Sequence, residues 1–206
     1  MIQKFYQFIT EEVSKNDPIP EVLRYSNGLG IILLGTPGAG KSTFINNFIM
    51  PRNLKFKSFS TDDVSLMFTK DPQKYYQGSS DLNIERLLLF LKSGQNFIYD
   101  TTGAQDKNVF DIVKSSRKFG YKIIFIQVMV DIETAKRQNL QRNRTVDEYY
   151  IDFVYSRQHQ NMKDYSKLLN PDNYYIVYNL EGKYKYYQYK DGKMYKRKVD
   201  KYLPIG

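Results

Sequence analysis

Residues 35–43 read Gly35-Thr36-Pro37-Gly38-Ala39-Gly40-Lys41-Ser42-Thr43. Glycine takes backbone angles closed to other residues, so a chain with this spacing can curl around an anion. Successive N–H groups then point inward and cradle phosphate, helped by the positive end of a following helix. Lys41 is placed to reach the β- and γ-phosphates and Ser42 to hold Mg2+. The spacing G-x-x-x-x-G-K-S is the P-loop pattern, and it carries the expectation of nucleoside triphosphate binding, with all nine residues forming the cradle.

A second set of charged residues stands at the ends of apolar runs. Asp62 and Asp63 follow Phe56-Lys57-Ser58-Phe59-Ser60, and Asp100 closes Asn96-Phe97-Ile98-Tyr99. In an open α/β sheet the ligand crevice lies beyond the carboxyl ends of the strands, which makes these carboxylates candidates for catalysis or for supporting Mg2+. Each also has a plainer reading. Asp62 or Asp63 caps the next helix, and Asp100 is a strand-end turn residue. Lys136, Arg137, Arg142 and Arg144 gather near a helix junction, as lid cations or as a solvated basic face. His159 lies mid-helix with no partner in sight, which reads as surface.

The elements that must position these groups follow from periodicity. Ile31 to Leu34 is a short β-prone run of the kind buried in parallel sheets. After Lys41, Phe44, Ile45, Phe48 and Ile49 recur at helical spacing. Further strands are expected at 56–60, 96–100, 123–128 and 174–179, and helices at 64–68, 84–91, 106–119 and 131–143. Asp71-Pro72 opens a polar, Tyr-containing stretch read as a loop facing substrate. Thr145-Val146-Asp147-Glu148 fits the capping box T-x-x-E and starts a helix to about Leu169. A helix over residues 2–15 precedes the first strand. Asp191-Gly192 centres a terminal hairpin. Its register puts Tyr184, Tyr186, Gln188, Tyr195, Arg197 and Val199 on one face and Lys185, Tyr187, Tyr189, Met194, Lys196 and Lys198 on the other.

The chain has 206 residues, enough for one α/β domain with a small appendage. The expected division is a P-loop domain at 1–180, with its lid at about 136–150, and a basic Tyr/Lys-rich hairpin at 181–206. There is no cysteine, which excludes disulfides and thiolate metal sites. The start shows no secretory signal and the apolar runs are too short to span a bilayer, so a cytoplasmic location and no membrane partner are expected. Formal net charge is +9. The segment from residue 181 onward holds eight Lys and Arg against three Asp and Glu, a net of +5. That excess suits nucleic acid contact by stacking and phosphate binding, or equally an edge hairpin kept soluble by lysine.

The P-loop residues, then Asp62-Asp63, Asp100-Thr101-Thr102-Gly103 and Arg142-Asn143-Arg144, together resemble the polynucleotide kinase and zeta-toxin group of P-loop kinases, over roughly residues 30 to 180. The resemblance implies an α/β P-loop kinase fold: a five-stranded, mainly parallel sheet with helices on both faces, followed here by the C-terminal β-hairpin. It implies phosphoryl transfer from ATP, with Mg2+, to a hydroxyl. Asp62 would be the general base, Lys41 and Ser42 would hold phosphates and metal, Asp100 would support the metal, and Arg142 and Arg144 would close on the transferred group. Two positions depart from the group. Ser65 stands where members often carry a basic residue three positions after the base, and Thr61 replaces a basic residue of some polynucleotide kinases. Three functions are therefore expected in order: a kinase of a nucleic acid hydroxyl (a 5′-OH end or a hydroxymethylated base), a zeta-toxin-like kinase of a nucleotide sugar, and a nucleic-acid-binding ATPase or switch.

Overall fold

The computed structural model describes residues 28–49, 55–67, 76–104, 106–142, 145–171, 173–180 and 183–197. The expected helix at 2–15, Arg144, Lys198 and Val199 lie outside them. Strand β1 (Leu29–Leu34) alternates its side chains between two cores, because successive residues of a strand face opposite ways. Ile31 and Leu33 enter one core with Phe44, Ile124, Ile126 and Val177. Ile32 and Leu34 enter the other with Tyr99, Phe125, Tyr165 and Tyr174. A strand buried on both faces has no room for polar residues, which is why this run is continuously apolar.

The strands β2 (Phe56–Ser60), β3 (Asn96–Thr101), β4 (Lys122–Met129) and β5 (Asn173–Leu180) join β1 in parallel, in the order β2-β3-β1-β4-β5. The sheet then continues through β6 (Lys183–Lys190) and β7 (Lys193–Arg197), both antiparallel. The hairpin has the anticipated register, with Gln188 opposite Tyr195 and Tyr187 opposite Lys196. Its turn residue Asp191 takes φ 51 and Gly192 takes φ 74, as a tight hairpin turn demands.

The tyrosines of β6 are mostly structural. Tyr186 and Tyr189 are buried in opposite cores, and Tyr184 packs edge-on against Phe48, 4.9 Å between ring centres. They are therefore not a stacking platform for bases, which corrects that expectation for this strand. Tyr195 of β7 stays half exposed.

Helix α1 (Lys41–Phe44) passes into a single π turn at Ile45–Ile49. Helices α2 (Thr61–Leu66), α3 (Tyr76–Phe90), α4 (Asp106–Lys118), α5 (Ile132–Leu140) and α6 (Glu148–Leu169) follow. Three local expectations change. Asp62 and Asp63 lie inside the first turn of α2 rather than ahead of it, where negative charge meets the positive helix end. The polar stretch after Asp71 is helical from residue 76 onward, because Ser79, Ser80, Asn83, Ile84 and Leu87 form one buried stripe.

The capping box is also displaced. The cap of α6 is Asp147, whose carboxylate accepts from the Tyr149 N–H at 2.8 Å. The Val146 N–H is instead held by Asn139, and Thr145 stands outside the helix. His159 is exposed on α6, as expected. Among the described residues no helix is long and apolar enough to cross a membrane.

Candidate active site at the carboxyl ends of the strands

The glycine loop leaves β1 and closes on the start of α1. Gly40 adopts φ 86 and Gly38 φ 83, conformations that disfavour any side chain. A Cβ at Gly38 would run into the Ala135 carbonyl of α5, and one at Gly40 would lie 2.8 Å from the Asn179 amide nitrogen. The loop is thus held on two sides by backbone and by a strand end. It is braced internally by the Ala39 N–H donating to Thr36 O at 3.0 Å and the Phe44 N–H to Gly40 O at 2.9 Å. Asn179, at the end of β5, donates its amide to Ala39 O at 3.2 Å.

Lys41 reaches back over the loop. Its Nζ donates to Gly35 O at 2.8 Å and lies 3.8 Å from Asp100 Oδ1, with both side chains mostly buried. Thr36 is 1 % exposed, and its hydroxyl has no hydrogen-bond partner. A buried polar atom without a partner is costly unless something completes it. A phosphate oxygen in the loop would do so. The glycine cradle, the lysine and this hydroxyl fit a nucleoside triphosphate. Ser42, exposed beside Lys41, and the Asp100 carboxylate are oxygen donors of the kind Mg2+ takes, few in number because that ion keeps waters and substrate phosphates as ligands.

Strand order brings the other candidates to the same place. β3 lies between β1 and β2, so Asp100 stands in register with Leu33 on one side and Ser60 on the other. Asp62 begins two residues beyond Ser60, whose hydroxyl accepts from the Asp62 N–H at 3.2 Å. Arg142, just past the end of α5, places Nη2 3.9 Å from Asp62 Oδ2. Burial raises the Asp100 carboxyl above the usual range; Lys41 and Arg142 oppose the shift, and the charges of Asp62 and Asp63 add to it. One carboxyl therefore feels four charged residues from three other segments. Partial desolvation and the Asp62 charge raise Asp63 also, against Arg86 of α3.

The remaining junction cations have local partners. Lys136 is paired with Asp152 at 2.9 Å and Glu148 at 3.8 Å, which ties α5 to α6. Arg137 donates to Thr134 Oγ1 at 3.3 Å. Of the expected lid cations described, Arg142 is the one that meets Asp62.

Thr101 and Thr102 turn the chain, their hydroxyls accepting from the N–H groups of Gly103 and Ala104. Such bonds to the backbone two residues on are the usual local use of threonine. The Gly103 carbonyl is then fixed by Asn161 and Tyr165 of α6, at 2.8 and 2.7 Å.

Sequence reasoning missed two positioning residues. Asn179 clamps the loop from β5. Asn139 holds the segment between α5 and α6 by donating to Val146 O at 2.8 Å and accepting from Val146 N at 3.0 Å. Both are asparagines at the ends of elements, which in sequence look like ordinary turn residues.

Comparison with known proteins bears on the family and the fold. The model of the AAA_33 family, described as an AAA domain, matches residues 31–169. A search of curated proteins gave no match. Among solved structures, the PezAT chromosomal toxin–antitoxin system of Streptococcus pneumoniae aligns at 15 % identity and TM-score 0.61, over 86 % of this chain and 76 % of that one.

The AvrRxo1-ORF1:-ORF2 complex with ATP aligns at 14 % identity and TM-score 0.61, over 93 % and 68 %. The Pnkp1/Rnl/Hen1 RNA repair complex aligns at 22 % and TM-score 0.56, over 66 % of this chain but 46 % of that one, so this chain spans less than half of that protein. These likenesses show the fold. With the family match and the glycine loop they lead to one conclusion: the chain belongs to the AAA_33 family of AAA domains and is a nucleotide-binding, P-loop kinase-like domain.

Proposed function

We propose that the protein is an ATP-dependent kinase that transfers the γ-phosphate to a hydroxyl on nucleic acid, either a 5′-OH end or a hydroxymethylated base. The observation that carries this reading is the meeting of Lys41, Asp100, Asp62 and Arg142 at one end of the sheet, linked by contacts of 3.8 and 3.9 Å. A nucleotide switch needs phosphate binding alone. A carboxylate beyond the next strand, beside an arginine, is what an alcohol acceptor needs as well.

In this mechanism Asp62 takes the proton of the acceptor hydroxyl. The acceptor oxygen forms its bond to the γ-phosphorus, and the bond from that phosphorus to the β–γ bridging oxygen breaks. ADP leaves with the electron pair. Lys41 and the loop N–H groups hold the phosphates in line, and Arg142, with Arg144, neutralises charge on the group in flight. Ser42 and Asp100 would hold Mg2+, which supplies further charge neutralisation when bound. Positioning and electrostatics do most of the work, since phosphoryl transfer asks little covalent chemistry of the protein.

The choice of nucleic acid rests on the net charge of +9 and on the basic C-terminal strands. The likeness to an RNA repair complex is in keeping with it. A second reading is a nucleotide sugar acceptor. It is favoured by the alignment with the toxin–antitoxin structure, which extends over more of this chain, and by the use of the β6 tyrosines as core. The proposed division into a kinase domain at 1–180 and a hairpin at 181–206 accompanies either reading.

The test is transfer from γ-labelled ATP to a panel of 5′-OH DNA, 5′-OH RNA, hydroxymethylated DNA and UDP-sugars. Label on a polynucleotide is the expected result. Label on a UDP-sugar alone establishes the second reading. Phosphate release with no labelled acceptor refutes both and leaves an ATPase.

A further inference from the structure

At the opposite end of the sheet from the glycine loop lies a cavity of about 790 Å³. One wall is the last turns of α6, with Lys163 and Lys167 four residues apart and so on one helix face. The other wall is the hairpin tip, with Lys190 and Asp191. Lys193 pairs with Lys190 across the turn. Arg117 of α4 adds a further cation at the rim, its guanidinium donating to the carbonyl of the lining residue Asn170 at 2.7 Å. The floor is polar and aromatic: Gln188 donates to Asn173 Oδ1 at 3.1 Å, beside the buried ring of Tyr174.

Lysines on the last turns of a helix have a local use, because they offset the negative end of its dipole. That use does not extend to Lys190, which comes from another element and lines the same hollow. Cations on opposite walls repel one another, and an anion between them removes that repulsion. Among the described residues Asp191 is the single acidic residue of the lining. The lining has few apolar side chains, whereas the centre of a protein–protein interface is depleted of charge. The occupant that fits is the phosphate backbone of a nucleic acid.

We propose that this basic cavity is a second docking site for a polynucleotide, separate from the acceptor position at Asp62. The choice of ligand rests on the nucleic acid reading above. The spacing has a consequence. Asn179 at one end of β5 touches the glycine loop and Asn173 at the other end lines the cavity. They are six positions apart along the strand, about 20 Å at roughly 3.3 Å each, and Asp62, beyond the end of β2, lies four strands across the sheet from β5, about 19 Å at roughly 4.8 Å each, so the cavity and the acceptor position are on the order of 28 Å apart. With one phosphate per about 3.4 Å of strand, a polynucleotide needs on the order of eight nucleotides to bridge that span. A 16-nucleotide acceptor can occupy both places and a trinucleotide cannot.

The experiment compares wild type with the triple variant Lys163→Gln/Lys167→Gln/Lys190→Gln. Binding of a 3′-labelled 16-nucleotide 5′-OH strand is followed by fluorescence anisotropy across a salt series, and transfer is measured to that strand and to a trinucleotide. Losing three phosphate contacts should lower the slope of log affinity against log salt by about 2, at roughly 0.7 per contact for single strands. Affinity for the long strand should fall by about tenfold or more at low salt, with the KM of the trinucleotide unchanged.

Lysine-to-arginine replacements at the same positions should restore the slope. If the triple variant melts early, Lys190→Gln alone should still lower the slope by about 0.7. An unchanged slope with affinity within twofold overturns the docking site. Binding and transfer separate the two readings. Transfer with an unchanged slope removes the docking site alone. Salt-sensitive binding that the variant weakens, without any transfer, removes the acceptor reading and supports the docking site.

Discussion

Replacing Gly40 by alanine tests how the loop is held. Two terms act. The first is backbone: φ 86 is a left-handed conformation, and a residue with a Cβ pays about 1–2 kcal/mol to occupy it. The second is contact: the new Cβ would lie 2.8 Å from Asn179 Nδ2, well inside van der Waals distance. The amide must retreat, and with it goes its 3.2 Å bond to Ala39 O. That bond is worth about 0.5–1.5 kcal/mol net.

Gly40→Ala should therefore destabilise the fold by about 2–3 kcal/mol. Asn179→Ala should cost about 1–2 kcal/mol, because the Ala39 carbonyl loses this partner. In the double variant the contact term has already gone, so the sum of the single effects should exceed the double effect by about 1 kcal/mol. Urea denaturation of the four proteins gives the stabilities, and calorimetric titration gives the ATP affinities. Asn179→Ala should weaken ATP binding by about tenfold through the displaced loop, equivalent to about 1.4 kcal/mol. Additivity of the stabilities within about 0.4 kcal/mol, with ATP affinity unchanged in Asn179→Ala, would refute the claim that β5 clamps the loop.

Other outcomes separate structural from chemical roles. Asp62→Asn should lower kcat by about 10²–10⁴ in the transfer assay. Its melting temperature should move by no more than about 1–2 °C, since the half-exposed pair with Arg142 contributes roughly 0–1 kcal/mol; a variant with full transfer activity sinks the base assignment. Asn139→Ala removes both bonds to Val146 and should lower the melting temperature by on the order of 5 °C. Its kcat should fall with the misplaced Arg142, and unchanged kcat in a destabilised protein would show that this segment does not position the arginine.

Burial pushes the Tyr121 hydroxyl up to about 12. A phenol raised in the folded state contributes stability that is intact below its ordinary value near 10 and is lost as pH rises through the interval up to 12. Denaturation midpoints should fall measurably across that interval. Tyr121→Phe should flatten the decline, and an equally steep decline in the variant refutes the attribution.

The glycine loop was legible because its chemistry is written in consecutive residues. Three glycines, a lysine and a serine at fixed spacing need only one strand and one helix start to work, and Ile31 to Leu34 and Phe44 to Ile49 announce both. The strands were legible for a related reason. In a parallel sheet buried on both faces the apolar run must be continuous, so Ile123 to Val128 is hard to mistake. The hairpin register followed from Asp191-Gly192, since a two-residue turn fixes every pair beyond it.

What depended on the tertiary structure was pairing across distance. Strand order sets Asp100 between β1 and β2, and no local signal encodes that order. The identity of the loop's clamp, Asn179, required β5 to end beside a segment 140 residues earlier. The fate of the β6 tyrosines shows the same division. Their alternation with lysine is a sequence fact that suits a stacking surface or an edge strand. Burial of Tyr186 and Tyr189 in the two cores is decided by the helices that cover each face of the sheet. Sequence fixes which residues a local element presents, through its period. Only packing decides what each presented face meets, because that depends on elements far away in the chain.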